Sequence, residues 1–300
     1  GAITLGAASS IIADYGTMTI SSNISGNFAL TFAGFSDITY SGVRSGTSTI
    51  VKDGINTLTL SNGNSSYSGV TTISVGTVKL GAVSVGGTNS PLGTAAGGTT
   101  IALGSRLDLN GFSLGIAEPI TSLNGVGYGL GYFASGALMN SSGSSVTFTG
   151  LITLGSASTI KADYGDINLT AAGTISGSSF GLTLGGGGVG TLASIIGTVA
   201  GTVIKINTGT WTLSGQSTYT GATSVYLGTL KLGANAGATN TPFGTNAGGV
   251  LVYSGGVLDL NSFTLTTTEA LTINGRGIND GGALVGSNGT LGGAVTQGTD

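Results

Sequence analysis

The side chains that carry most enzyme chemistry are scarce in this 300-residue chain. It has no histidine and no cysteine. That removes disulfides, thiolate nucleophiles, imidazole bases and His- or Cys-ligated metals together. Eleven carboxylates remain. A glycan-cleaving site would need two of them to converge, commonly beside a cation. The closest pair is Asp163 and Asp166, near Lys161. Yet Asp14 occupies the position of Asp163 in an earlier copy of the same segment, where Thr17 stands in place of Asp166. Asp108 and Asp259 recur in the same way, as do Glu118 and Glu269. Acids that appear once per copy read as turn or corner residues, so no catalytic residue is assigned.

Metal and cofactor sites are not assigned either. A calcium-binding solenoid repeats Gly-Gly-x-Gly-x-Asp in tandem, and acids this sparse cannot supply the six to eight oxygens of a site. Gly185 to Gly190 satisfies the spacing G-x-G-x-x-G, but Thr191 to Gly197 carries no helix-start pattern after it. With 59 glycines, such a match arises by chance. The aromatic pairs Tyr15 and Tyr164, Tyr67 and Tyr219, and Phe112 and Phe263 recur between copies, which favours packing or corner stacking over ligand binding. Trp211 stands where the first copy has Leu58 and reads as core. Tyr128, Tyr132 and Phe133 lie in a glycine-rich stretch, 125–139, without a direct counterpart, the best place to look for binding. Outward threonine pairs (Thr17 and Thr19, Thr57 and Thr59, Thr147 and Thr149, Thr210 and Thr212) would suit an ice-binding face only if repeated on every coil.

The elements that must position these residues are strands. Ile3-Thr4-Leu5, Met18-Thr19-Ile20, Leu58-Thr59-Leu60, Val146-Thr147-Phe148 and Leu230-Lys231-Leu232 each alternate apolar and polar, with glycine, serine or asparagine at their ends. No window holds a capped 3.6-residue period. Charged residues are only 6 %, against roughly 25 % in an ordinary soluble domain. Net charge is −3 with eight basic residues dispersed, which gives no footprint for nucleic acid or anionic lipid. No run of about 18 apolar residues offers a membrane-spanning helix.

The chain repeats itself. GAITLGAASSIIADYG (1–16) returns as GLITLGSASTIKADYG (150–165). NTLTLSNGNSSYSGVTTISVGTVKLG (56–81) returns as GTWTLSGQSTYTGATSVYLGTLKLG (209–233). TNSPLGTAAGG (88–98) and RLDLNGFSL (106–114) return as TNTPFGTNAGG (239–249) and VLDLNSFTL (257–265). We therefore expect unit 1 over residues 1–149, unit 2 over 150–292 and the start of a third over 293–300, the whole being a window of a longer array. Strand-turn pieces recur every 20–25 residues, the size of one solenoid coil. Coils stacked about 4.8 Å apart would form a rod of about 14 coils and roughly 65 Å. Leu, Ile and Val would point inward, Ser and Thr outward, and glycine would turn the corners. A β-sandwich array is the competing architecture.

Residues 56–81 and 209–233 resemble the passenger-associated β-strand repeat of bacterial autotransporters. The carrying motifs are Thr210-Trp211-Thr212-Leu213-Ser214-Gly215, Tyr219-Thr220-Gly221 and Gly228-Thr229-Leu230-Lys231-Leu232-Gly233, with Leu58-Thr59-Leu60-Ser61, Tyr67-Ser68-Gly69 and Gly76-Thr77-Val78-Lys79-Leu80-Gly81 in the first copy. The resemblance implies an all-β, right-handed parallel β-helix, exported and displayed on the bacterial surface. We expect a non-enzymatic structural or adhesive element, a rigid spacer or fibre former. Its partners would be neighbouring repeats or other copies of itself, or a surface polysaccharide or another cell. Nucleic-acid binding and membrane insertion are not expected. A carbohydrate-binding or carbohydrate-cleaving β-helix and an ice-binding solenoid are the alternatives.

Overall fold

A computed structural model describes residues 1–129, 134–265 and 269–298. They form a parallel β-solenoid. The longest ladder runs through thirteen strands in sequence order. It starts at Met18–Ile20, Ile38–Tyr40, Thr57–Leu60, Thr77–Leu80, Arg106–Asp108 and Leu138–Asn140. It continues through Ile152–Ala162, Leu182–Gly185, Val203–Lys205, Thr223–Val225, Val250–Val252, Leu271–Ile273 and Val295–Gln297. Every pairing in it is parallel, and at ladder spacing the column is roughly 58 Å long. Among the described residues, one short 3₁₀ turn, Ile278–Asp280, is the only helix.

Alternation decides which side chains enter the core. In Thr57–Leu60, Leu58 and Leu60 are buried while Thr57 and Thr59 are half-exposed. The parallel register then sets like on like: Ile38, Leu58, Val78, Leu107, Leu138, Ile160 and Leu184 form one inward column. The outward column beside it starts Thr19, Thr39, Thr59 and is then broken by Lys79 and Asp108. The threonines therefore do not repeat on every coil, as an ice-matching face would require.

Strand Ile152–Ala162 does something the repeats do not announce. Its first part pairs with Ile120 and Leu123, its last part with Leu138–Asn140. It thus runs straight across two columns that earlier coils separate by a corner. From its first residue onward, each strand of the second copy stands one face round from its counterpart in the first: Ile3 stacks on Ile24, Ile152 on Ile120. Lys52 stacks in the column of Phe32, Ile73, Ile101 and Leu123. Lys205, its counterpart, continues the column of Leu138, Ile160 and Leu184.

Candidate functional site

The charged groups with unusual surroundings lie inside the rod. Lys52 and Lys205 are fully buried. Each occupies an inward position of a strand, Ile50–Asp53 and Val203–Lys205. Each turns its ammonium into the corner that follows. Lys52 Nζ donates to Gly54 O and Asn56 Oδ1, both at 2.6 Å, and to Val75 O at 3.3 Å. Lys205 Nζ donates to Ile206 O (2.8 Å), Asn207 O (2.6 Å) and Leu227 O (2.9 Å). These carbonyls come from two successive coils, so the lysine closes corners that backbone pairing leaves open. Burial pushes Lys52 down to about 8 and Lys205 to about 7. Gly76 and Gly228 make room for them. A Cβ there would lie 3.0 Å from Lys52 Nζ and 2.6 Å from Lys205 Nζ, and both residues have positive φ.

A second interior pair is Tyr67 and Tyr219, whose hydroxyls lie 2.6 Å from Thr71 Oγ1 and Thr223 Oγ1. Burial raises both phenols. A third is Glu118 and Glu269. Glu118 Oε1 accepts from Thr99 Oγ1 at 2.8 Å, and Glu269 Oε2 from Thr241 Oγ1 at 3.3 Å. Their other carboxyl oxygens are buried without a hydrogen-bond partner. Burial raises Glu118 to about 7 and Glu269 to about 8. Arg44 is also buried, its guanidinium donating to Ile24 O, Gly26 O and Phe28 O.

These positions correct parts of the sequence reading. Glu118 and Glu269 lie between strands, with their carboxyl groups inside the rod. Asp108 and Asp259 are turn residues: each Oδ1 accepts from the backbone N–H two residues on, at Asn110 (2.9 Å) and Asn261 (2.7 Å). Tyr15 and Tyr164 do not pack; both project into solvent. Phe112 and Phe263 pack partly against the core, and Trp211 is wholly inside it. Motif and spacing do not single out Lys52 and Lys205, although inward alternation in Ile50-Val51-Lys52 and Val203-Ile204-Lys205 marks them.

The acid pair singled out by spacing is divided. Asp166 Oδ1 accepts from Val189 N at 3.0 Å. Asp163 is half-buried, and burial raises it against the opposing pull of Lys161. Lys161 is itself buried, and burial lowers it. Gly136 lies against it: a Cβ there would sit 3.1 Å from Lys161 Cβ. Gly185 to Gly190 is the corner between strands Leu182–Gly185 and Val189–Leu192, with Gly190 inside the second strand. Among the described residues, no three acids gather where they could hold a metal ion, and no helix is long and apolar enough to cross a membrane.

Tyr128 lines a groove of about 350 Å³ with Ile55, Val75, Leu103, Ser105 and Arg106. Tyr132 and Phe133 lie outside the described residues.

The lysine corners recur at the same point of each copy, just where the sequence comparison finds its match. Residues 50–80 and 203–232 each match the model of the passenger-associated-transport-repeat family. The chain resembles an autotransporter passenger. Each matched segment starts on the strand bearing the buried lysine and ends on the strand that follows Gly76 or opens with Gly228, the glycines that admit it. Passenger repeats of this type are secreted or surface-exposed. No curated protein and no solved structure matches the chain.

Proposed function

We propose that this region is a rigid extracellular spacer in a bacterial surface protein, without catalytic activity of its own. One observation carries the reading: an unbroken parallel ladder of thirteen strands with its polar corners closed from within. Bonds of that ladder run along the rod axis, so tension is shared among the several hydrogen bonds joining each pair of coils and the stacked apolar columns. Lysines that tie two coils together at a corner resist local opening between the strands, where backbone pairing stops. The passenger-repeat match supports display outside the cell.

The test is imaging of intact cells with an antibody raised against residues 1–300. Labelled fibres or a coat extending from the surface are expected. Label confined to the cytosol of permeabilised cells would overturn the proposal.

A further inference from the structure

One corner of the rod is lined by apolar side chains that face water. Tyr15, Phe35, Ile55, Val75, Leu103 and Tyr128 each occupy the corner between the same two strand columns, on six successive coils. The stacking is direct. Phe35 N donates to Ala13 O, Val75 N to Lys52 O, and Ala102 N to Ile73 O. Leu103 Cδ2 lies 3.0 Å from where a Cβ on Gly125 would sit. Exposure is 98 % at Tyr15, 73 % at Phe35, 70 % at Ile55, 71 % at Leu103 and 75 % at Tyr128. None of the six is charged. In the next coil this corner is Gly155-Ser156-Ala157, and Gly125 N donates to Ser156 Oγ. The row ends there.

We infer that this stripe is the contact surface for a second copy of the same chain, with the two rods side by side and antiparallel. Area and charge select this occupant. Three exposed aromatics present on the order of 500 Å². With the three aliphatics and the flanking Ser and Thr, the stripe approaches the ~800 Å² per partner of a standard interface. Monomeric proteins seldom leave so long an apolar patch in water. Charge then sets the direction of pairing. Coils one to three carry the exposed acids Asp14, Asp37 and Asp53. Coils four and five carry Lys79 and Arg106, both half-exposed. Parallel pairing would set acid on acid. A two-fold axis between Ile55 and Val75 sets Asp37 opposite Arg106, both just past the corner at the level of Thr57 and Thr77. The same axis places Tyr15 against Tyr128 and Phe35 against Leu103. Phe35 of the second copy then enters the groove lined by Val75, Leu103 and Tyr128.

The inference is independent of the spacer reading; a strictly monomeric rod would sink it and leave that reading intact. The chain has no cysteine, so introduced thiols report cleanly. Positions 35 and 103 lie three coils apart in one copy, roughly 14 Å, beyond the reach of an internal disulfide. The full chain is expected to sediment as a dimer at micromolar concentration. Phe35→Cys with Leu103→Cys should give a covalent dimer on mild oxidation, while Phe35→Cys alone should not. Phe35→Ser with Leu103→Ser should abolish the dimer at unchanged circular dichroism. Arg106→Asp should weaken it about tenfold, and adding Asp37→Arg should restore it. A monomer at all concentrations, efficient cross-linking of Phe35→Cys alone (a parallel pair), or association that survives the double serine variant (end-to-end pairing) would each overturn it. So would an oligosaccharide that protects Tyr15 and Tyr128 from modification while the chain stays monomeric. If the double serine variant does not fold, the two cysteine variants still decide the matter.

Discussion

Lys205 and Glu269 show how a chain so poor in charge uses the few it has. A buried ammonium is tolerable only because three carbonyls receive it. Lys205→Met keeps the volume but strands those acceptors, and should lower stability by about 2–3 kcal/mol, read as a shifted denaturant midpoint. The titration signs oppose each other. Glu118 and Glu269 are raised to about 7 and about 8. The folded state therefore holds more protons than the unfolded chain above the ordinary carboxyl value. Their contribution is complete at acid pH and is lost as pH rises to about 8. Lys52 and Lys205 are lowered to about 8 and about 7. Here the unfolded chain holds more protons, so stability rises from about pH 7 up to the ordinary lysine value. The melting temperature should pass through a minimum near neutrality. Glu118→Gln with Glu269→Gln should flatten the acid limb, and Lys52→Met with Lys205→Met the alkaline one. A profile unchanged by all four substitutions would contradict the assignment. The lysines are legible in the sequence as inward positions of alternating strands. The buried glutamates are not, because Glu118 and Glu269 precede their strands and no alternation assigns them a side.

Between elements, the informative contact is Gly190 beneath Trp211. The two residues are register partners on adjacent strands. A Cβ on Gly190 would lie 2.3 Å from the indole ring, whose Nε1 donates to Gly185 O at 2.9 Å. At the matching place in the first copy, Ile38 pairs with Leu58. One large and one absent side chain thus replace two of middling size, and the column keeps its volume. Gly190→Ile alone should be severely destabilising through overpacking, and Trp211→Leu alone should cost about 2–4 kcal/mol through the cavity it leaves. Together they should recover most of the loss, because the pair is coupled through one space. Additive losses in a double-mutant cycle would refute the compensation. Aligning the two copies sets Trp211 against Leu58, but Gly190 sits in a glycine-rich run that reads as a loop. Only the register joins them. The corner stripe has a plainer signal: Tyr15, Phe35, Ile55 and Val75 are spaced by twenty residues, one coil each. Alignment of copy with copy hides it, because the row belongs to successive coils of the first copy and does not continue in the second.

For the whole molecule, the unit that matters is the coil with a neighbour on each side. The strands and their stacking follow from alternation and repeat length, so both are legible in the residues alone. The one-face shift is not, since the residues alone do not say how many faces a copy spans: Ile3 stacks on Ile24, whereas its counterpart Ile152 stacks on Ile120 in a different column. Val295 stacks on Leu271 as Ile152 stacks on Ile120, each pair joining matched positions of the repeat. A rod extended through this junction would turn by one face per copy, and equivalent corners would return to the same side after three. Stability in such a rod is a sum over coils and their interfaces. Coils at its ends have one interface each: Ile3, Ile12 and Val295 are exposed, whereas Ile160, Leu184 and Val203 are wholly buried. Hydrogen exchange should therefore be slowest in residues 138–225 and fastest in the first and last coils. Fusing a further copy of residues 150–292 after residue 292 should slow exchange in 250–292 while leaving residues 1–40 unchanged. Uniform slowing across the whole chain would mean that the solenoid opens as one cooperative body, and the coil-by-coil account of its stability would fail.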